Sequence, residues 1–293
     1  MRIATRRLLF WTIGIALAIY IAIIAYLLSS QNSMLFYPDY EGRELVYSPA
    51  DVGLAYSDVE FSTEDGTRIH AWFVPHDNSR ATLIYCHGNA GNIGRRLGAL
   101  RRWHDLGVSV LIFDYPGFGQ SEGSPTEQGT YASARAAWEY LTEDKQIPAH
   151  DIVLYGRSLG GGVVAQLASE VDAKGLIIES SFTSVPDMAD DIYWWIPLQQ
   201  LMTVRYETKD KMESVDYPIL IIHSPDDEVV PFSHGQELFE IANEPKQFLQ
   251  TKGGHNGGPT LSEPEYSLGL DRYLTALDSD PQSGASESHA DPH

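Results

Sequence analysis

Gly156-Arg157-Ser158-Leu159-Gly160 follows the apolar run Ile152-Val153-Leu154-Tyr155 and precedes Gly161-Gly162-Val163-Val164-Ala165. A short β-branched run, a G-x-S-x-G and a second apolar run read as strand, sharp turn and helix. Such a turn strains the serine backbone and crowds its surroundings, so its neighbours must be small. The helix that follows starts with free N–H groups aimed at the reacting oxygen. Ser158 is therefore a candidate nucleophile, weighed against the plainer reading of a helix N-cap serine. To attack a carbonyl, a serine needs a base, a carboxylate to orient that base, and donors for the oxyanion. His255 is the candidate base. Of the ten histidines it alone lies on a glycine-flanked loop, Gly253-Gly254-His255-Asn256, between the last expected strand and the last expected helix. The carboxylate is sought in His223-Ser224-Pro225-Asp226-Asp227-Glu228, with Asp227 first and Asp226 the adjacent alternative. The expected oxyanion donors are the N–H of Leu159 and that of Asn89 in His87-Gly88-Asn89-Ala90-Gly91, with Ala90 as substitute. His87 is expected to brace this loop rather than serve as a second base. The set is suited to ester or amide cleavage and needs no metal or organic cofactor. A P-loop, an H-E-x-x-H and a dinucleotide-type G-x-G-x-x-G after the first strand are all missing from the sequence.

These residues must be carried by elements that bring distant segments together. Strand-like runs at 59–62 and 68–74 flank Asp65-Gly66 as a hairpin. Further strands are expected at 82–86, 108–114, 151–155, 175–178, 219–222 and 246–250. Helices are expected at 93–106, 127–143, 159–170, 231–241 and 264–277. A hairpin followed by repeated βα units predicts an α/β fold: a mostly parallel sheet with helices on both faces. In such sheets functional groups gather on loops at the carboxyl ends of the strands. The loops bearing His87, Ser158, Asp227 and His255 all follow strands and should converge on one rim.

The 293 residues include an N-terminal segment that stands apart. Residues 8–28 carry no charge and as a helix would span about 30 Å, the thickness of a bilayer core. Arg2, Arg6 and Arg7 precede this run, and no basic residue follows until Arg43. A cleaved signal peptide is the rival reading, but its apolar region is normally shorter, and Ser29-Ser30-Gln31-Asn32-Ser33 offers no small-x-small cleavage site. The expected organisation is a cytoplasmic basic segment 1–7, a transmembrane anchor 8–28 and a catalytic domain 34–277. The arginines place that domain on the extracytoplasmic side. Deleting residues before Asn32 should release a soluble, active body. After Asp278 the chain is polar throughout, so 278–293 is expected to be a disordered tail. A net charge of −20 argues against nucleic acid as a partner. Cys86 is the only cysteine, which excludes an internal disulfide, and it lies within an apolar strand as packing.

Several stretches together carry a resemblance. They are Met34-Leu35-Phe36-Tyr37-Pro38, His87-Gly88-Asn89-Ala90-Gly91-Asn92, Phe113-Asp114-Tyr115-Pro116-Gly117-Phe118-Gly119-Gln120-Ser121-Glu122-Gly123, Gly156-Arg157-Ser158-Leu159-Gly160-Gly161, Glu179-Ser180-Ser181-Phe182-Thr183-Ser184 and Gly254-His255-Asn256. The chain resembles the α/β-hydrolase superfamily and, within it, the membrane-anchored BEM46-like branch with the α/β-hydrolase domain-containing protein 13 type. The order Ser, Asp, His is that of the α/β-hydrolase fold. In the family's pattern the triad aspartate precedes an acidic residue and a valine or isoleucine, which Asp227-Glu228-Val229 fits. Ser224 stands where glycine is usual, and Gly257-Gly258 where an acidic residue is common.

The resemblance implies a serine hydrolase of carboxylic esters or thioesters, acting on a small or lipid-like ester. A peptidase or amidase of the same fold, or a membrane-tethered binding protein with a vestigial site, are the alternatives. Residues 185–217 form an expected cap insertion containing Tyr193-Trp194-Trp195-Ile196-Pro197. That aromatic run either offers its surface to an acyl chain or the bilayer, or packs onto the sheet.

Overall fold

A strand covered on both faces must be apolar along nearly its whole length, and three central strands are. They are β3 (Ala81–Cys86), β4 (Val108–Phe113) and β5 (Ile152–Arg157), buried throughout except at Arg157. In this computed structural model, which describes residues 2–40 and 42–279, they form the middle of one eight-stranded sheet. The other members are β1 (Ser57–Ser62), β2 (Arg68–Val74), β6 (Gly175–Glu179), β7 (Ile219–His223) and β8 (Lys246–Gln250). The order is β1-β2-β4-β3-β5-β6-β7-β8. β1 and β2 form the antiparallel hairpin, β2 runs antiparallel to β4, and every later pairing is parallel. Parallel pairing puts the ends of β3, β5, β7 and β8 on one rim.

The helices in chain order are α1 (Arg2–Ser29), α2 (Gln31–Leu35), α3 (Leu97–Asp105), α4 (Glu127–Glu139), α5 (Leu159–Ala168), α6 (Val185–Tyr193), α7 (Thr208–Met212), α8 (Phe232–Ile241), α9 (Gly258–Leu261) and α10 (Glu265–Asp278). One core lies between the sheet and α4, α5, α7 and α8, and a second between the sheet and α3 and α10. The expected helix 93–106 is broken. Asn92 and Asp114 accept the Gly94 and Ile93 N–H groups, which pins a single 3-10 turn before α3 begins. The expected helix 127–143 ends at Glu139 and widens into a π-turn where Tyr140 stacks on Phe61. β5, β6 and β7 extend past their expected ends to include Arg157, Glu179 and His223. Polar residues at a buried rim read as loop in the sequence, yet they are still paired in the sheet.

α1 is the one helix among the described residues long and apolar enough to cross a membrane. Its upper half touches the insertion: Ala189, Ile196 and Leu198 pack with Tyr20, Ile24, Leu27 and Leu28. The Gln31 side-chain oxygen accepts the Thr203 and Val204 N–H groups. A cut before Asn32 would therefore remove contacts of the body along with α1. The tryptophans of the insertion do not pack onto the sheet: Trp194 is 83% and Trp195 46% exposed. α10 runs to Asp278, and the expected tail from 280 onward lies outside the described residues.

Cys86 sits in the interior of β3, and burial pushes its thiol well above the usual range. Iodoacetamide should leave the native protein unmodified and alkylate it only after denaturation, as read by intact mass. Alkylation of the folded protein would place Cys86 elsewhere.

Candidate active site

The chain reverses between β5 and α5 so tightly that side chains cannot be accommodated at the crossing. A Cβ on Gly156 would fall onto the Gly160 carbonyl, and one on Gly160 onto the Cys86 carbonyl. Ser158, at the apex, has φ 54° and ψ −122°, a conformation costing a non-glycine residue about 1–3 kcal/mol. Neighbouring strands hold it there. Its N–H donates to the Glu179 carbonyl at 2.9 Å, and its carbonyl accepts the Ser181 hydroxyl at 2.8 Å and the Gly161 N–H at 2.9 Å.

His255 Nε2 lies 3.0 Å from Ser158 Oγ, and its Nδ1 lies 2.8 Å and 3.0 Å from the two Asp227 oxygens. A hydroxyl, an imidazole and a carboxylate thus stand in one hydrogen-bonded line, the arrangement through which a serine can lose its proton. The carboxylate is that of Asp227, since Asp226 turns away and accepts the Gly253 N–H at 3.1 Å. The next residue, Glu228, accepts the His255 N–H at 2.9 Å, and a Cβ on Gly254 would collide with it. Three consecutive acidic residues therefore grip the 253–255 loop at three points. Ser224 Oγ accepts the Asp226 N–H, which shapes the turn that presents them.

Burial alone would raise the Asp227 carboxyl. Hydrogen bonding from His223, His255 and the Val230 N–H outweighs it and holds the carboxyl below the usual carboxylate range. The stability that this carboxylate supplies is complete above the ordinary carboxyl range and is lost only as pH falls through its lowered value.

His87 and Asp114 are fully buried beside the 87–91 loop, with 3.5 Å between Nε2 and Oδ1. His87 Nδ1 reaches the Gly88 carbonyl at 2.7 Å, and Tyr115 donates to the His87 carbonyl at 2.8 Å. Its contacts are those of a brace, and Ser158 has its imidazole from His255. The Asn89 side chain donates to the Leu35 carbonyl at 2.7 Å, and its carbonyl accepts the Tyr37 N–H. The segment after α1 thus orients the loop. Gly88 passes over the Ser158 side chain at a separation that a Cβ would bring to 3.6 Å. Asn89 and Leu159 both line the cavity above Ser158.

Sequence reasoning missed a network beneath the site. Glu179 is 1% exposed and accepts hydrogen bonds from Tyr155 at 2.7 Å and Tyr266 at 2.6 Å. Arg157 lies 3.3 Å from the same carboxylate and also donates to the His255 carbonyl. Burial works against the Arg157 charge, but Glu179 more than compensates and raises its pKa. A signal existed: an acidic residue ends the strand-like run Leu176-Ile177-Ile178.

The cavity over Ser158 has a volume of about 590 Å³. Leu35, Phe182, Val185, Met188 and Ile192 make one wall apolar, while Arg95, Arg96 and Arg157 lie on the polar side. Among the described residues no group of three His, Cys, Asp or Glu side chains could hold a metal ion.

A parallel sheet with a strained serine after one strand, an aspartate after another and a histidine after the last defines an α/β hydrolase. The sequence profile of the serine aminopeptidase S33 family matches residues 77–207, which include Ser158 and end before Asp227 and His255. The uncharacterized protein Rv2307c of Mycobacterium tuberculosis is 34% identical over 256 residues, 86% of this chain and 90% of that protein. The α/β hydrolase domain-containing protein WAV2 of Arabidopsis thaliana is 33% identical, with 76% of this chain and 79% of that protein covered. Protein bem46 of Schizosaccharomyces pombe is 30% identical, with 79% and 81% covered. The Pyrococcus furiosus esterase Pf2001 superposes with a TM-score of 0.70 at 20% identity, covering 83% of this chain and 97% of its own. This chain belongs to the BEM46-like family of α/β hydrolases.

Removing one partner of a buried pair leaves the other charge uncompensated. Glu179→Ala should lower unfolding free energy by about 3 kcal/mol in denaturant titration, with Glu179→Gln less damaging. An Ala variant within about 0.5 kcal/mol of wild type would show that the network does not hold the site.

Proposed function

We propose that the protein is a membrane-anchored serine hydrolase that cleaves carboxylic esters or thioesters through Ser158, His255 and Asp227. The observation that carries this reading is the line from Ser158 Oγ through His255 to Asp227, with 3.0 Å and 2.8 Å at its closest links. His255 takes the hydroxyl proton as Ser158 Oγ attacks the carbonyl carbon. Asp227, held ionised, orients the imidazole and balances its positive charge. The N–H groups of Leu159 and Asn89 receive the oxyanion. Collapse expels the alcohol or thiol, which takes the proton from His255. Water, deprotonated by His255, then attacks the acyl-enzyme and releases the acid with Ser158 restored. The apolar wall suits an acyl chain.

The aminopeptidase description of the matching profile favours a second reading, peptide cleavage by the same machinery. An aminopeptidase must bind a protonated amine. The described residues lining the cavity include three arginines and no carboxylate, which favours an ester over a cationic peptide end.

In this proposal residues 1–7 stay in the cytoplasm, 8–28 span the membrane and the hydrolase body lies on the other side. The arginines before the span, and the absence of basic residues from there to Arg43, support that orientation.

Ser158→Ala and His255→Ala should each reduce kcat on a p-nitrophenyl ester by about 10⁴-fold or more, and Asp227→Asn by about 10⁴-fold, with folding intact. A folded His255→Ala enzyme with near-wild-type turnover would contradict the base assignment. Asp227, whose carboxyl is held below the usual carboxylate range, should stay ionised as pH falls into that range, so its protonation should not set an acid limb of kcat there.

A further inference from the structure

We propose that the loop following α6 is buried in the bilayer beside the anchor, so that the cavity over Ser158 opens at the membrane surface. Its substrates are then esters of membrane amphiphiles that enter from the leaflet. The depth argument rests on α1 being the membrane span, and the substrate class rests on the hydrolase reading above.

Residues 192–204 contain no charged side chain, in a chain of which 20% is charged. Within this run Ile192 is 61% and Trp194 83% exposed, and Trp195 and Leu201 are also exposed. Large apolar groups grouped on one surface call for a covering partner. The partner is indicated by what the loop already touches. The Tyr20 hydroxyl donates to the Trp195 carbonyl at 3.3 Å, their ring centroids are 6.1 Å apart, and Ile196 and Leu198 pack with Ile24, Leu27 and Leu28. Arg6 and Arg7 fix the lower edge of the span just before Leu8, and about 20 residues cross the hydrocarbon, which places its upper edge near Leu28. Tyr20 stands eight residues below Leu28, about 12 Å along the helix axis. A loop in contact with Tyr20 therefore lies below the level of Leu28.

The loop has the features immersion requires. Its backbone folds on itself: Ile196 N–H donates to Tyr193, Leu198 to Ile196, and Leu201 and Met202 to Leu198. Tyr193, Trp194 and Trp195 are the residue types that settle at membrane interfaces. The net charge of −20 would hold most of the surface away from anionic head groups, and this neutral face is the one they tolerate. The face is continuous with the cavity. Ile192 belongs to both, and Met34 and Leu35, directly above the anchor, complete the apolar wall with Met188.

The test is fluorescence quenching of the full-length protein in phosphatidylcholine vesicles whose acyl chains are brominated near the head group. Trp194→Phe/Trp195→Phe and Trp11→Phe variants assign the quenched emission. Quenching that persists in Trp11→Phe, and that falls in the double variant to the share carried by Trp11, is the expected result. Emission from the pair that ignores bromolipid and is quenched by aqueous iodide would overturn the proposal. If the Trp11 emission also ignores bromolipid, the anchor itself is misread and the proposal falls with it. Trp194→Ser/Trp195→Ser should turn over a soluble acetate ester as wild type does and lose several-fold activity on a long-chain ester carried in vesicles. Equal activity on both would overturn the substrate class. Bromolipid quenching with no turnover of any ester would refute the hydrolase reading while leaving the buried loop standing.

Discussion

The close crossing of α5 over the ends of β3 and β5 is the constraint on which the rest of the site depends. Backbone meets backbone there because Gly156 and Gly160 have no side chains. Ser158 is then the only residue at the apex that can project a reactive group, and it does so from φ 54°. The strain is tolerated because its N–H and carbonyl are both tied to the end of β6 and the loop after it. Glu179 is the common element. Its carbonyl fixes Ser158, and its carboxylate holds Arg157, which in turn holds the His255 carbonyl. One buried carboxylate therefore couples the positions of the hydroxyl and the imidazole, two groups 97 residues apart in sequence.

A second coupling joins the site to the N-terminal segment. Leu35 accepts the Asn89 side-chain hydrogen bond, Tyr37 pairs with the same loop, and Gln31 ties to Thr203 and Val204. The chain directly after α1 thus helps to shape the 87–91 loop and lines the cavity through Met34 and Leu35. A body excised at Asn32 keeps Ser158, Asp227 and His255 but loses part of the support around them.

Much of this could be read from the sequence because local patterns carried it. Glycine spacing around Ser158, apolar runs of strand length and polar residues directly after them are features of short segments. The order of strands in the sheet is not such a feature, since β2 pairs with β4 rather than with β3 through contacts distant in sequence. Asp226 and Asp227 are equivalent as residue types. What separates them is a turn in which Ser224 takes the Asp226 N–H while the Val229 and Val230 N–H groups bind Asp227. Glu179 escaped notice because a lone acidic residue at a strand end is usually solvated, and its partners Tyr155 and Tyr266 read as core. The aromatic run after α6 was ambiguous for a related reason. Composition shows that Trp194 and Trp195 need covering, but only the contact with Tyr20 indicates by what.

The central claim is that Ser158 is a nucleophile activated by His255. It is tested most directly by fluorophosphonate labelling with the modified peptide identified by mass spectrometry. The account predicts stoichiometric phosphonylation of the wild-type protein on Ser158, no labelling of Ser158→Ala, and strongly slowed labelling of His255→Ala. A folded wild-type protein that takes up no label, or a Ser158→Ala variant labelled as fast as wild type, would contradict it.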